Sequence, residues 1–173
     1  MKNEQSYLIA VFGKVCSGKN KYVLENCPPN CLHIDIGDVV RELTKTNSRT
    51  HDKSLDTQII DYLQNEIFYS KADTNTMVIT GIRQLSILKA LENIVNEIHT
   101  INYERVLLNV PESILKTRYE KRAATKDHSI AFEDTIKRDS LLGLDELIQY
   151  LYTVKTTIIE YYNRNEIDTL QEK

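Results

Sequence analysis

A three-layer α/β domain, with a five-stranded parallel sheet between two layers of helices, is the fold class this 173-residue sequence predicts, and three observations predict it. Short apolar runs alternate with stretches of helical periodicity, the order that builds a parallel sheet through right-handed crossovers. Hydrophobic residues make up 41% and charged residues 27%, ordinary globular proportions at a length that fits one core rather than two. There are only five glycines, about 3% of the chain where roughly 7% is typical. Four of the five fall at predicted carboxyl ends of strands, where parallel sheets bind their ligands.

Each element has its own signal. Tyr7–Phe12 (YLIAVF) is a continuous apolar run ending on Gly13, the pattern of a strand buried on both faces, and a helix is expected from about Gly18. Cys31–Ile36 (CLHIDI) reads as the second strand, after which Gly37 and Asp38 open a helix. Leu55, Ile59, Ile60, Leu63 and Ile67 recur at helical spacing before the third strand, Met77–Ile82. Leu88, Leu91, Val95 and Ile98 repeat that spacing before the fourth, Val106–Val110, which Pro111 stops. Glu112–Ala123 reads as a charged helix, Ala123–Ser129 as a loop and Phe132–Ser140 as a returning helix. Gly143 ends that helix before another begins near Asp145, and Thr156–Tyr161 is a weaker fifth strand. No repeat, linker or low-complexity tract divides residues 1–173, so they read as one domain.

The chemistry concentrates after the first strand. Gly13-Lys14-Val15-Cys16-Ser17-Gly18-Lys19 matches G-x-x-x-x-G-K, and Asn20 follows where Ser or Thr is usual. A loop of this kind curls its backbone N–H groups inward onto phosphate oxygens, the lysine reaches the terminal phosphates, and the helix behind it offers its positive end. Asn20 stands at the position that normally ligates Mg²⁺, and its amide oxygen suits a hard cation. Asp35, at the end of the second strand, is placed to act as a base for an acceptor hydroxyl or as an outer-shell ligand of Mg²⁺. Asp38 and Arg41 share a helical face, as acceptor-binding groups or as an N-cap with its surface partner. Gly81-Ile82-Arg83 suits a tight turn that presents a guanidinium to a phosphate. Arg118 and Arg122, four apart on one helical face, and Arg138 on the returning helix flank the Ala123–Ser129 loop.

In this order the motifs resemble the P-loop small-molecule kinases of the nucleoside monophosphate kinase class, with dephospho-CoA kinase and phage deoxynucleotide kinases among them. The resemblance implies a P-loop NTPase fold with an acceptor-binding helical segment at about 37–73 and a short helical lid at about 118–139. It implies ATP and Mg²⁺ as cofactors and a nucleotide-like acceptor, most simply a (deoxy)nucleoside monophosphate or dephospho-CoA. Arg41 and Arg83 would hold the acceptor's phosphate, Arg118, Arg122 and Arg138 would clamp the transferring group, and Asn163 would touch adenine. Two positions depart from the pattern: Thr80 stands where the class commonly has a Walker B aspartate, and Arg83 comes one residue early.

Two other functions are compatible with these residues. Asp38-x-x-Arg41 also resembles the acceptor-activating pair of polynucleotide 5′-hydroxyl kinases, in which Asp38 would be the base. Asn20 and Thr80, both departures at the metal, motivate a nucleotide-binding regulatory module without turnover. A net charge of −3 argues against coating nucleic acid by bulk charge. No apolar run approaches the ~18–20 residues that span a bilayer, and the start lacks the features of a signal peptide, so the chain is expected to be cytoplasmic. Cys16, Cys27 and Cys31 read as reduced thiols rather than a disulfide or metal set.

Overall fold

The structure, a computed structural model, describes residues 6–46, 52–69, 75–126, 130–162 and 166. Strand β1 (Ser6–Phe12) leads through the glycine loop to α1 (Lys19–Asn26), then come β2 (Leu32–Asp35) and α2 (Ile36–Thr44). A 3₁₀ turn (Lys53–Leu55) enters α3 (Asp56–Tyr69), followed by β3 (Thr76–Thr80), α4 (Leu85–Glu97) and β4 (Ile101–Asn109). Helices α5 (Glu112–Lys126), α6 (Phe132–Leu142) and α7 (Leu144–Thr153) precede the edge strand β5 (Thr157–Glu160). The sheet order is β2-β3-β1-β4-β5 and every pairing is parallel.

The apolar run of β1 is explained by burial on both faces. Leu8, Ala10 and Phe12 point into the main core with Val39 and Val40 of α2, Ile59 and Leu63 of α3, Leu88 and Leu91 of α4, and Leu147 and Leu151 of α7. Val11 points the other way, into a smaller core with Val78, Val106, Leu108 and Val23 of α1. A third cluster joins Val110, Ile114 and Leu115 to Phe132, tying α5 to α6, with Val15 of the glycine loop packed against it. The strand ends that carry the candidate site are therefore fixed from both sides of the sheet.

Several expected boundaries move: the third strand stops at Thr80, short of Ile82, where Gly81 takes a left-handed φ of +83°, and three others move for reasons as plain. Strand β4 begins at Ile101, five residues before the apolar run, because Ile101, Tyr103 and Arg105 alternate with the exposed Asn102 and Glu104. Ile36 and Gly37 belong to α2 rather than to the second strand and its turn, because Asp35 caps the helix, its Oδ1 accepting from Gly37 N at 2.7 Å. Helix α5 runs on through Lys126, so the expected loop is helical at Ala123–Lys126, and residues 127–129 lie outside the described residues. Gly143 ends α6 and opens α7, as its position predicts. No helix among the described residues is long and apolar enough to cross a membrane.

Candidate active site

The loop between β1 and α1 closes tightly enough to dictate its residues. At Gly13 (φ +149°) a Cβ would lie 2.5 Å from the Ser17 hydroxyl and 3.0 Å from the Leu108 carbonyl, so a side chain has no room. Ser17 is fully buried inside the curl, and its N–H donates to the Lys14 carbonyl at 3.2 Å. Cys16 (φ 59°) and Gly18 (φ 92°) are left-handed, which turns the chain sharply into α1. Gly18 is the N-cap and brings no side chain, so the first-turn N–H groups of α1 stay open to an anion.

Lys19, the first residue of α1, folds back under this loop. Its Nζ donates to the carbonyls of Gly13 (2.8 Å) and Lys14 (3.0 Å) and lies 3.4 Å from Ser17 Oγ. Enclosure of the ammonium lowers its pKa to about 8, with the guanidinium of Arg83 pushing the same way; Asp139, Asp35 and Cys16 oppose the shift. A cation held by three neutral oxygens is incompletely compensated, and phosphate oxygens satisfy it better.

A second group of candidate residues assembles at the ends of β2 and β3, where Asp35 pairs in register with Thr80. Because Asp35 caps α2, one of its oxygens is committed to the backbone and the other is left for chemistry. Of the two roles open to Asp38, the N-cap is taken by Asp35; Asp38 lies in the first turn of α2 with Arg41 Nη2 2.5 Å from its Oδ1, on the exposed side of the helix. Thr80 is fully buried, its hydroxyl 3.0 Å from His33 Nε2. Asp35 also lies against Gly81: a Cβ there would be 3.3 Å from its Oδ1. Just beyond, Arg83 Nε lies 3.0 Å from Asp139 Oδ1 of α6. Sequence reasoning missed Asp139, although it follows Phe132 and Thr135 on the one buried stripe of α6.

The arginines lie on α5 and α6 as expected, in different surroundings. Arg118 forms a two-point pair with Glu166, Nε to Oε1 at 2.8 Å and Nη2 to Oε2 at 2.9 Å. The same guanidinium donates to the Tyr161 carbonyl (3.0 Å) and reaches the Cys16 and Ser17 carbonyls at 3.3 and 3.4 Å. It braces the glycine loop from outside, beside a pocket of about 390 Å³ lined by Cys16, Gly18, Lys21, Arg118, Tyr161 and Glu166. Tyr161 covers Gly18 so closely that a Cβ would be 2.8 Å from its ring. Its hydroxyl donates to Glu25, and burial together with that carboxylate raises its pKa to about 12. Arg122 is exposed on α5 and Arg138 half-buried on α6. Tyr119 locks the two helices, its hydroxyl donating to the Ile130 carbonyl at 2.9 Å while its ring meets Phe132 edge-on. Asn163 lies outside the described residues.

Asp35 and Asn20 offer the kind of oxygen a hard divalent cation takes. Asp35 keeps one carboxylate oxygen unused by its cap, and Asn20 is exposed in the first turn of α1. Among the described residues no group of three His, Cys, Asp or Glu side chains converges to hold a metal alone. Mg²⁺ asks for no such cage, taking one or two protein oxygens and completing its shell with phosphates and water.

No protein-family profile matches the chain, and comparison with curated protein sequences finds no match. Similarity appears in three dimensions. A shikimate kinase from Bacteroides thetaiotaomicron superposes with a TM-score of 0.56 at 18% identity, over 96% of this chain and 97% of that one. A chain of the Pnkp1/Rnl/Hen1 RNA repair complex superposes with a TM-score of 0.66 at 14% identity, over 91% of this chain; the present chain spans about half of it, 49%. With its strand order, its glycine loop and these neighbours together, the chain has the P-loop kinase fold.

Proposed function

We propose that this protein is an ATP-dependent kinase that transfers the γ-phosphoryl group to a nucleotide-like acceptor, most simply a (deoxy)nucleoside monophosphate or dephospho-CoA. The observation that carries the reading is the placement of Lys19, enclosed beneath a loop of open N–H groups and within the electrostatic reach of Arg83 and Asp35. Donor and acceptor groups thus meet at the carboxyl ends of β1, β2 and β3.

In this reading the nucleoside of ATP takes the pocket beside Arg118 and Tyr161, and its phosphates run into the loop. Lys19 gives up the Gly13 and Lys14 carbonyls for phosphate oxygens. Arg83 holds the acceptor's phosphate, with Arg41 entering from α2. An oxygen of the acceptor then bonds to the γ-phosphorus as the bond to the β–γ bridging oxygen breaks, leaving ADP. Arg122 of α5 and Arg138 of α6 would neutralise charge on the equatorial oxygens, while Arg118 fixes the loop. A phosphate acceptor needs no base; a hydroxyl acceptor would lose its proton to the unused oxygen of Asp35. Bound Mg²⁺ would neutralise charge between the phosphates, held on the protein side by Asn20 and Asp35.

A second reading is favoured by the Asp38–Arg41 contact and by the likeness to a chain of an RNA repair complex: a kinase for the 5′-hydroxyl of a polynucleotide, with Asp38 as the base. One experiment separates the two. The protein is incubated with γ-labelled ATP and Mg²⁺ against ribo- and deoxynucleoside monophosphates, dephospho-CoA and a 5′-hydroxyl oligonucleotide. Label in a mononucleotide or in CoA supports the first reading, and label confined to the oligonucleotide and lost in D38N replaces it with the second.

A further inference from the structure

Asp139 is placed at a cost that the fold does not explain. Helix α6 buries one stripe, Phe132, Thr135 and Asp139, and an apolar side chain would complete it. Asp139 is instead only 2% exposed, and neither carboxylate oxygen makes a hydrogen bond among the described residues. It also lies in the last turn of α6, where the helix end disfavours negative charge. The cation beside it is Arg83, with Nε 3.0 Å from Oδ1. Buried ion pairs add little to stability over an apolar replacement, so a carboxylate kept under three local penalties points to the arginine it serves.

The arrangement is asymmetric. Asp139 lies beside Nε of Arg83 as an ion pair without hydrogen-bond geometry, and among the described residues no other hydrogen bond or ion pair engages the guanidinium, which leaves its Nη groups open. The corner between α6 and α7 packs close by, the Arg83 carbonyl lying 4.0 Å from where a Cβ on Gly143 would be. Only one rotamer of a long, flexible side chain is then useful, and a carboxylate at one edge selects it.

We propose that Asp139 is the positioning residue of the acceptor site: from the buried face of α6 its charge holds the guanidinium of Arg83 on the Nε side, so that the Nη groups meet the acceptor's phosphate beside Lys19. This rests on the kinase reading above. It also makes α6, the helix that returns from the α5–α6 connection, part of the acceptor site.

The test uses the full chain and two substitutions. D139L fills the stripe with an apolar group and removes the carboxylate, whereas D139N keeps a polar oxygen of the same shape beside Nε and removes only the charge. The first readout is independent of turnover: the side-chain ¹⁵N–¹H signal of Arg83 Nε, assigned by its loss in R83K. A signal protected from solvent exchange in the wild type, weakened in D139N and lost to fast exchange in D139L is expected. An Arg83 signal that D139L leaves unchanged overturns the proposal, whatever the kinase panel shows. The second readout is steady-state transfer to the acceptor found in that panel. D139L should raise the acceptor KM by about tenfold or more with the ATP KM unchanged, D139N should lie between, and D139L should add nothing in an R83K background. Equal losses in D139N and D139L, or a penalty that adds to that of R83K, contradict positioning. A panel without any transfer, beside an Arg83 signal that behaves as expected, rejects the kinase reading and leaves the Asp139–Arg83 contact standing.

Discussion

Lys19 shows how one side chain can report on its surroundings. Its pKa of about 8 in the free protein arises from burial first and from Arg83 second. A bound triphosphate adds negative charge and raises that pKa, so binding draws on the protonated form. The sign follows directly: affinity for ATP is constant below about pH 8 and weakens above it, by up to about tenfold per pH unit until the pKa of the complex is reached. Calorimetric titrations with ATP between pH 7 and 9.5 measure this, and K19M should bind weakly with no such slope. Gly18 offers a second test. Alanine there meets both the left-handed φ of 92° and the Tyr161 ring 2.8 Å away, so G18A should cost about 1–3 kcal/mol in urea unfolding and weaken ATP binding as well. The glycine pattern made both residues legible in the sequence. Asp139 was not, because in Lys137-Arg138-Asp139-Ser140 it looks like one more charge on a solvated helix. Its meaning depends on Arg83, 56 positions earlier, which only the packing of α6 against the β3–α4 turn reveals.

At the scale of elements, α5 is the part whose contacts reach furthest beyond its own sequence. Its spacing places Arg118 and Arg122 on one helical face, and both do lie on α5. The fold gives Arg118 a different set of partners, though: Glu166, the Tyr161 carbonyl and two carbonyls of the glycine loop. The anchor lies 48 residues away in the chain, and no periodicity carries that information. R118A should leave the helix content by circular dichroism intact and weaken ATP binding by about tenfold to a hundredfold, the range expected when charged hydrogen bonds bracing a loop are lost. R138A, on α6, should slow transfer with ATP affinity little changed, measured as kcat against the dissociation constant. Strand β4 illustrates the opposite limit of sequence reading. Its second half is an apolar run that any reader finds, whereas its first half alternates between Tyr103 and Arg105 on one side and Asn102 and Glu104 on the other. Arg105 is satisfied there by Glu92 of α4 at 2.7 Å, a contact that makes a charged residue acceptable in the strand.

For the molecule as a whole, alternation of apolar runs with helical periods was enough to reach a five-stranded parallel sheet, because both-face burial leaves a plain mark on β1 and β3. The main core lies on the side of α2, α3, α4 and α7, and its weight can be measured. Leu88 of α4 is wholly buried, and L88A should destabilise the fold by roughly 2–5 kcal/mol in denaturant titration. Ligand binding acts on the same balance: ATP at a hundred times its dissociation constant should add about 2.7 kcal/mol, seen as a rise in melting temperature that K19M lacks. Choice of acceptor belongs to the site rather than to the fold, since similar folds occur in a shikimate kinase and in a chain of an RNA repair complex. The central claim is phosphoryl transfer through Lys19, and it is tested most directly by label transfer from γ-labelled ATP to the acceptor panel, with wild type and K19M side by side. One labelled product from the wild type, reduced about a thousandfold or more in K19M, is the predicted result. Equal transfer by the two proteins, or tight ATP binding with no labelled product from any acceptor, would contradict it.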